Sequence, residues 1–169
     1  MGLDMYLSKR TYVKNWSFQK DEEKFNITVK KGNEISDTIK PERISYITEE
    51  IMYWRKANQI HNWFVQNVQD GEDDCKEYYV PVETIVELYQ VVCEVLESRN
   101  TEVAAEKLSP AAGFFFGSTE IDDWYWQDLE NTKEILQPLI DAYNEADKLG
   151  DKSHTHPIYK YDFYYQSSW

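Results

Sequence analysis

The sequence predicts an α+β domain, with one antiparallel sheet formed by N- and C-terminal strands and packed against three to four helices. Three observations predict it. Both ends of the chain alternate apolar and polar side chains with a period of two, which puts one set on a single face of a strand. The middle repeats its apolar residues at spacings of three and four, which is one face of a helix. Strands and helices are also segregated along the chain rather than interleaved. The 169 residues suit a single domain, 1–169.

Leu3, Met5 and Leu7 alternate with Asp4, Tyr6 and Ser8, which predicts a strand over residues 3–14. Phe25, Ile27 and Val29 alternate with Lys24, Asn26, Thr28 and Lys30, predicting a half-buried strand that ends in a turn at Gly32-Asn33. Residues 43–54 read as mostly extended, with the alternation broken at Glu49-Glu50. From Lys56 to Val68 the period changes, and Ala57, Ile60, Phe64 and Val68 predict a helix stopped by Gly71. The acid-rich loop 70–77 follows. Pro81 suits the first turn of a helix that carries Val82, Ile85, Val86, Tyr89, Val92, Cys93 and Leu96 to about Ser98. A short helix is expected over Glu102–Leu108.

The segment Gly113-Phe114-Phe115-Phe116-Gly117-Ser118 suits a buried strand or a tightly packed loop. Ser118 or Thr119 would cap the next helix, with Asp122 and Asp123 in its first turn. That helix carries Leu129, Leu136, Leu139, Ile140 and Tyr143, and Pro138 within it should kink or split it near Leu136. A polar loop at 150–157 leads to a last strand over 158–169, with Tyr159, Tyr161 and Phe163 on one face.

Composition narrows the function classes. Asp and Glu number 31 against 18 Lys and Arg, a net charge of −13. Such a chain repels phosphate backbones and anionic membranes, so no direct nucleic-acid or membrane partner is expected. Aromatics make up 15% of residues, which separates the chain from acidic disordered sequences. The start, MGLDMYLSKR, has neither the apolar run of a signal peptide nor the Ser or Thr of a myristoylation pattern. Cys75 and Cys93 stand alone, without a disulfide or zinc spacing, which fits a reducing cytoplasm. No phosphate loop, nucleophile elbow or dinucleotide fingerprint is present.

The stretch from Trp54 to Phe64 carries the most chemistry. Read as one helix, it places Arg55, Asn58 or Gln59, Asn62 and Gln66 on one face, with His61 at the edge. Trp54 and Trp63 would flank that face as stacking surfaces. A guanidinium, amides and indoles together can hold a planar, partly anionic ligand. The plainer reading is a solvated polar face. His61 is a weak candidate for acid–base catalysis, because no orienting carboxylate is visible at local spacing; a satisfied, partly buried histidine fits as well. Ser118 and Thr119, at the start of the long helix, offer an anion site or an ordinary cap. His154 and His156 form a two-ligand pattern without a third, and the acids Asp70, Glu72, Asp73 and Asp74 lack the Gly and Glu of a calcium loop, so neither a metal nor a cofactor is expected.

Three stretches, MGLDMYL at 1–7, YWRKANQIHNWFVQNVQDGEDDC at 53–75 and GFFFGSTEIDDWYWQDL at 113–129, with FYYQSSW at 163–169, resemble a family of small uncharacterised bacteriophage and prophage proteins. Segments 14–50 and 130–157 lie outside these motifs. The resemblance brings no activity and no catalytic residue. It implies a phage accessory product acting in the host bacterial cytoplasm.

Three functions follow as expectations. The first is a protein that binds and sequesters a small nucleotide-type ligand, plausibly to counter host defence, through Trp54, Arg55, Asn58, His61, Asn62, Trp63, Ser118 and Thr119. A homo-oligomer would suit it, because pockets often form at interfaces. The second is an acidic nucleic-acid mimic that inhibits a host DNA-binding protein, using Asp70–Asp74, Glu77, Glu83, Glu87, Glu94 and Glu97. The third is an enzyme acting on a nucleotide with His61 as acid or base.

Overall fold

A four-stranded antiparallel sheet in the order β4-β1-β6-β5 joins β1 (Asp4–Tyr12), β4 (Tyr46–Arg55), β5 (Tyr78–Val80) and β6 (Tyr161–Ser168). The N- and C-terminal strands pair directly, as the sequence predicts. The computed structural model describes residues 2–150 and 156–169. Along β1, Met5 lies opposite Trp54 and Ser167, and Leu7 opposite Met52 and Tyr165. These side chains, with Leu3, Phe163 and Val80, form the buried face of the sheet. Between Leu7 and Ser8 the β1–β4 register slips, leaving Ile51 as a bulge. The bulge inverts which side chains face outward, and this is why the alternation breaks beside Glu49-Glu50.

Four helices cover the buried face: α1 (Asn58–Asn67), α2 (Val82–Ser98), α3 (Thr101–Lys107) and α4 (Asp123–Lys148). Ile60 and Phe64 of α1, Ile85, Leu88, Val92 and Val95 of α2, and Leu129 and Leu136 of α4 join one core. Phe64 stacks on Tyr165 with ring centroids 3.9 Å apart, so α1 is seated on β6. α4 packs on α2 and β4. The Tyr125 hydroxyl donates to the carbonyls of Ala104 and Leu108, which fastens the start of α4 to the end of α3. Among the described residues no helix is long and apolar enough to cross a membrane.

Three expectations are corrected, and one strand is added. Residues 24–29 do not form a strand: the Asn15 amide donates to Phe25 O and accepts from Phe25 N, so a side chain consumes the backbone groups a strand would pair. Pairing begins only at the Gly32 turn, between β2 (Lys30–Lys31) and β3 (Glu34–Ile35). α4 is not split at Pro138. The proline and Glu134, whose carbonyl loses its partner, are both exposed, and the buried Leu129, Leu136 and Ile140 hold the helix on either side. Residues 157–160 form a 3₁₀ turn, so Tyr159 does not belong to the last strand, whose buried face is Phe163, Tyr165 and Ser167. Finally, β5 was hidden in the sequence, because three residues carry no readable period.

Candidate ligand-binding site

β4 ends at Arg55, and the chain turns into α1 through Lys56, whose φ of 61° is left-handed. Lys56 N–H is bonded to Leu3 O, and Lys56 O accepts from Asn58 N–H, so the turn is held from both sides. No side chain caps the first turn of α1. Arg55 and Lys56 therefore stand at the N-terminal end of a helix, where the helix dipole favours anions.

Facing this turn is the 113–118 loop. Phe116 N bonds to Gly113 O, and the Phe116 ring folds back so closely that a Cβ at Gly113 would lie 2.5 Å from it. Gly117 takes a left-handed φ of 87° against the Lys56 stem. The buried Asn58 amide donates to Phe116 O at 3.0 Å and to Ser118 O at 2.7 Å, clamping the loop to the start of α1. Leu3 N–H donates to Phe115 O from the other side. Phe116 packs inward against His61 and Trp169, whereas Phe114 stands almost wholly in solvent.

The start of α4 closes the third side. Asp122, and neither Ser118 nor Thr119, caps it: Asp122 Oδ1 accepts from Trp124 N and Tyr125 N. Ser118 Oγ instead accepts from Glu120 N within the loop. The sequence placed the cap too early because Ser118 and Asp122 are both good capping residues, and only the loop geometry chooses between them.

Between these three pieces lies a concavity of about 390 Å³, lined by Arg55, Lys56, Asn58, Gln59, Gly117, Ser118, Glu120, Asp122, Trp124, Tyr125 and Asp128. Its lining mixes the basic Arg55 and Lys56 with the acidic Glu120, Asp122 and Asp128. Trp124 is 77% exposed at its edge. Asp128 accepts from Gln59 Nε2 at 3.3 Å. Burial pushes the Asp128 carboxyl up to about 6, the Gln59 bond opposes this, and the Asp122 charge adds to it.

The structure divides the predicted residues. Arg55, Asn58 and Ser118 line the concavity, and so does Lys56. Trp54 and Trp63 are core residues 3% and 8% exposed, and Trp54 Nε1 donates to buried Thr132, so neither is a stacking surface. Trp54 belongs to β4 rather than to a helix running on to Phe64, and Trp63 lies on the buried face of α1. Asn62 donates to Ser109 O, a structural bond, and Thr119 is exposed outside the lining. Gln59, the alternative to Asn58 on the predicted face, lines the concavity too, and Trp124 and Asp128 are the residues the sequence reading missed. Trp124 and the acids beside it stood in the sequence as an aromatic–acid cluster, but nothing local linked them to Arg55.

His61 is 1% exposed. Its Nδ1 lies 2.8 Å from the Tyr165 hydroxyl and its Nε2 2.9 Å from Asp73 Oδ2. A neutral ring protonated on Nε2 satisfies both, with Tyr165 as donor and Asp73 as acceptor. Burial raises Tyr165 well above the usual phenol range, which keeps its proton in place. Asp73 also accepts from Trp169 Nε1 at 3.1 Å. The orienting carboxylate that local spacing did not reveal thus comes from the acid-rich loop. The arrangement is sealed, and no ring atom of His61 reaches a ligand.

The acid-rich loop is accordingly not simply solvated. Asp73 holds His61 and Trp169, Asp74 pairs with Lys76 and accepts from Tyr78, and Glu77 binds Arg10. Of the expected histidine pair, His156 accepts from Ile158 N as a cap, and His154 lies outside the described residues. Among the described residues no three His, Cys, Asp or Glu side chains group as metal ligands. Stretches 1–7, 53–75, 113–129 and 163–169 touch one another: Leu3 with Phe115, Asn58 with Phe116, Gln59 with Asp128, His61 with Tyr165 and Phe116 with Trp169. Comparison with protein families, curated proteins and solved structures finds no match.

Proposed function

We propose that the concavity binds a small phosphorylated nucleoside-type ligand, sequestering it rather than transforming it. The observation that carries the reading is the mixed charge of its lining. Arg55, Lys56 and the uncapped first turn of α1 suit a phosphate, and the carboxyl of Asp128 suits the hydrogen-bonding edge of a base. The exposed Trp124 indole supplies a face for stacking or for covering the ligand. A volume of about 390 Å³ is at the scale of small-molecule sites. Catalysis by His61 is disfavoured because the ring is sealed from the concavity. The nucleic-acid-mimic reading is weakened because Asp73, Asp74 and Glu77 are spent on internal partners and Glu94 pairs with Lys107. In the phage context that the sequence resemblance implies, sequestration would withdraw a signalling nucleotide from the host.

Thermal-shift and calorimetric titration against nucleoside mono- and diphosphates, cyclic dinucleotides and ADP-ribose tests the proposal. At least one should stabilise the protein, and Arg55→Ala should weaken that ligand by about tenfold or more, as expected for a lost charge-assisted hydrogen bond. Silence across the whole panel would overturn the reading.

A further inference from the structure

The sheet has a second face, opposite the helices, and it is rich in tyrosine. Met5 and Leu7 of β1 point into the core, so Asp4, Tyr6, Ser8, Arg10 and Tyr12 point the other way. The register puts Tyr53, Glu50, Thr48 and Tyr46 of β4 on the same side, and Tyr164 of β6 and Tyr79 of β5 join them. Six of the chain's 13 tyrosines therefore share this face. Their rings meet in pairs: Tyr6 with Tyr53 at 5.4 Å between centroids, Tyr12 with Tyr46 at 5.1 Å, and Tyr79 with Tyr164 at 5.9 Å. The Tyr53 hydroxyl donates to Asp4, and the Arg10 guanidinium lies 4.0 Å over the Tyr164 ring while bonded to Glu77. Rings held in this way lose little further freedom when a partner covers them. Trp16 stacks on Tyr12 and Phe18 on Trp16, which carries the aromatic surface past the end of β1. Tyr12, Trp16, Phe18, Tyr46, Tyr53 and Tyr79 are all exposed.

We infer that this face docks on the same face of a second copy of the chain, across a two-fold axis. A contiguous exposed aromatic patch marks an interaction site, and tyrosine is enriched where proteins meet. Charge and area commit the patch to a second copy. Arg10 and Arg55 stand against Asp4, Glu50, Glu77 and Asp162, so the face holds only two of the 13 excess negative charges. Two bodies of like charge meet at least cost over surfaces that carry little of it, and this contact leaves Glu83, Glu87 and Glu97 of α2 on the far side of both copies. A basic partner would be drawn to those acids instead. The length and spacing of the strands give about 450 Å² in projection. Side-chain relief and the Trp16–Phe18 extension bring the face to the roughly 600–800 Å² per partner that a stable dimer buries. Tyrosine suits a self-complementary contact, because its ring packs and its hydroxyl both donates and accepts, so each group can meet its own copy. Packed about 10 Å apart, the two sheets form a sandwich with the helices outside both.

Sedimentation velocity and light scattering of the full chain over a range of micromolar concentrations test this. The mass should approach twice 20.2 kDa, and the dimer should tighten as salt screens the remaining repulsion. Tyr46→Glu and Tyr79→Glu change exposed side chains on the two edge strands of the face. Each should weaken the dimer by about tenfold or more, with the far-ultraviolet circular dichroism of the parent retained. Glu87→Lys, on α2, should not weaken it. A monomer throughout overturns the inference and leaves the face to a partner of another kind. A dimer that neither tyrosine variant weakens, that Glu87→Lys weakens instead, or that dissociates as salt rises uses another surface, and overturns it too. Neither tyrosine lines the concavity, so this result and the ligand titrations stand or fall separately.

Discussion

Asp128 sits where binding and stability oppose each other. Its carboxyl is pushed up to about 6 from an ordinary 3.8, with burial the main cause, and Asp122, Glu120, Arg55 and Lys56 are the other charges around the concavity. The native state therefore holds a proton that the unfolded chain releases between those two values. Stability linked to Asp128 is present at low pH and is lost as pH rises through about 6. Asp128→Asn should leave the melting temperature unchanged below about pH 4, raise it progressively through the window, and hold a constant gain above it. Allowing for solvent screening of a partly exposed group, the gain should be about 1–2 kcal/mol, with roughly 2–4 °C for each kcal/mol in a chain of this size. Thermal melts of both proteins across pH read the difference directly; a gain that persists undiminished at low pH would show that the carboxyl is not the cause. His61 makes the contrasting case. Its two hydrogen bonds leave it fully satisfied, and removing one partner would strand a buried polar group at a cost of about 1–3 kcal/mol. A sealed histidine is a structural pin, whereas a strained, accessible carboxyl is what a binding site retains.

Pro138 sets the question at the level of the element. It lies inside the unbroken α4, where it removes one helical hydrogen bond and exposes the carbonyl of Glu134 to solvent. Pro138→Ala should restore that bond. Part of the gain is offset because proline also restricts the unfolded chain, so the net should be about 1–2 kcal/mol more stable, read as a higher melting temperature. A lower melting temperature would show that a bend at Pro138 is needed to seat α4 on α2 and β4. The same helix explains what the sequence could reveal. Long apolar stripes carry their period over several turns, so α1 and α2 were legible to within a residue or two, as were β1 and the pairing of the chain ends, whereas α4 starts later than the predicted cap at Ser118 or Thr119. Residues 24–29 have a clean alternation but no surface to bury it against, and Asn15 takes Phe25's backbone groups from a distance of ten residues. Local pattern states what a segment could do; partners decide whether it does. The site was half legible for the same reason. Arg55 and Asn58 are neighbours in the chain, but Asp128 reaches Gln59 across 69 residues and Asp73 reaches His61 only because the loop folds back.

Across the whole molecule the excess of 13 negative charges is spread unevenly. Part of the basic complement is matched to single acids: Lys9 with Glu49, Arg10 with Glu77, Lys76 with Asp74 and Lys107 with Glu94. Acids outnumber bases over the rest of the surface, and α2 presents Glu83, Glu87 and Glu97 along one exposed stripe beside the Glu94–Lys107 pair. Exposed ion pairs contribute about 0–1 kcal/mol each, and salt weakens them; repulsion among surplus acids opposes folding, and salt weakens that too. The two effects shift stability in opposite directions, so salt measures which dominates. With the charge so one-sided, repulsion should win. Raising sodium chloride from about 0.01 M to about 0.15 M shortens the screening length from ~30 Å to ~8 Å, and the melting temperature at neutral pH should rise by a few degrees. The control lies in the titration of the same acids. Near the sequence isoelectric point of about 4.6 the net charge vanishes, and the salt effect should vanish with it. A melting temperature that falls with salt at neutral pH would mean that the ion pairs outweigh the surplus. A rise that persists at the isoelectric point would mean that salt acts on something other than net charge, and the acidic stripe of α2 would then not be a source of strain.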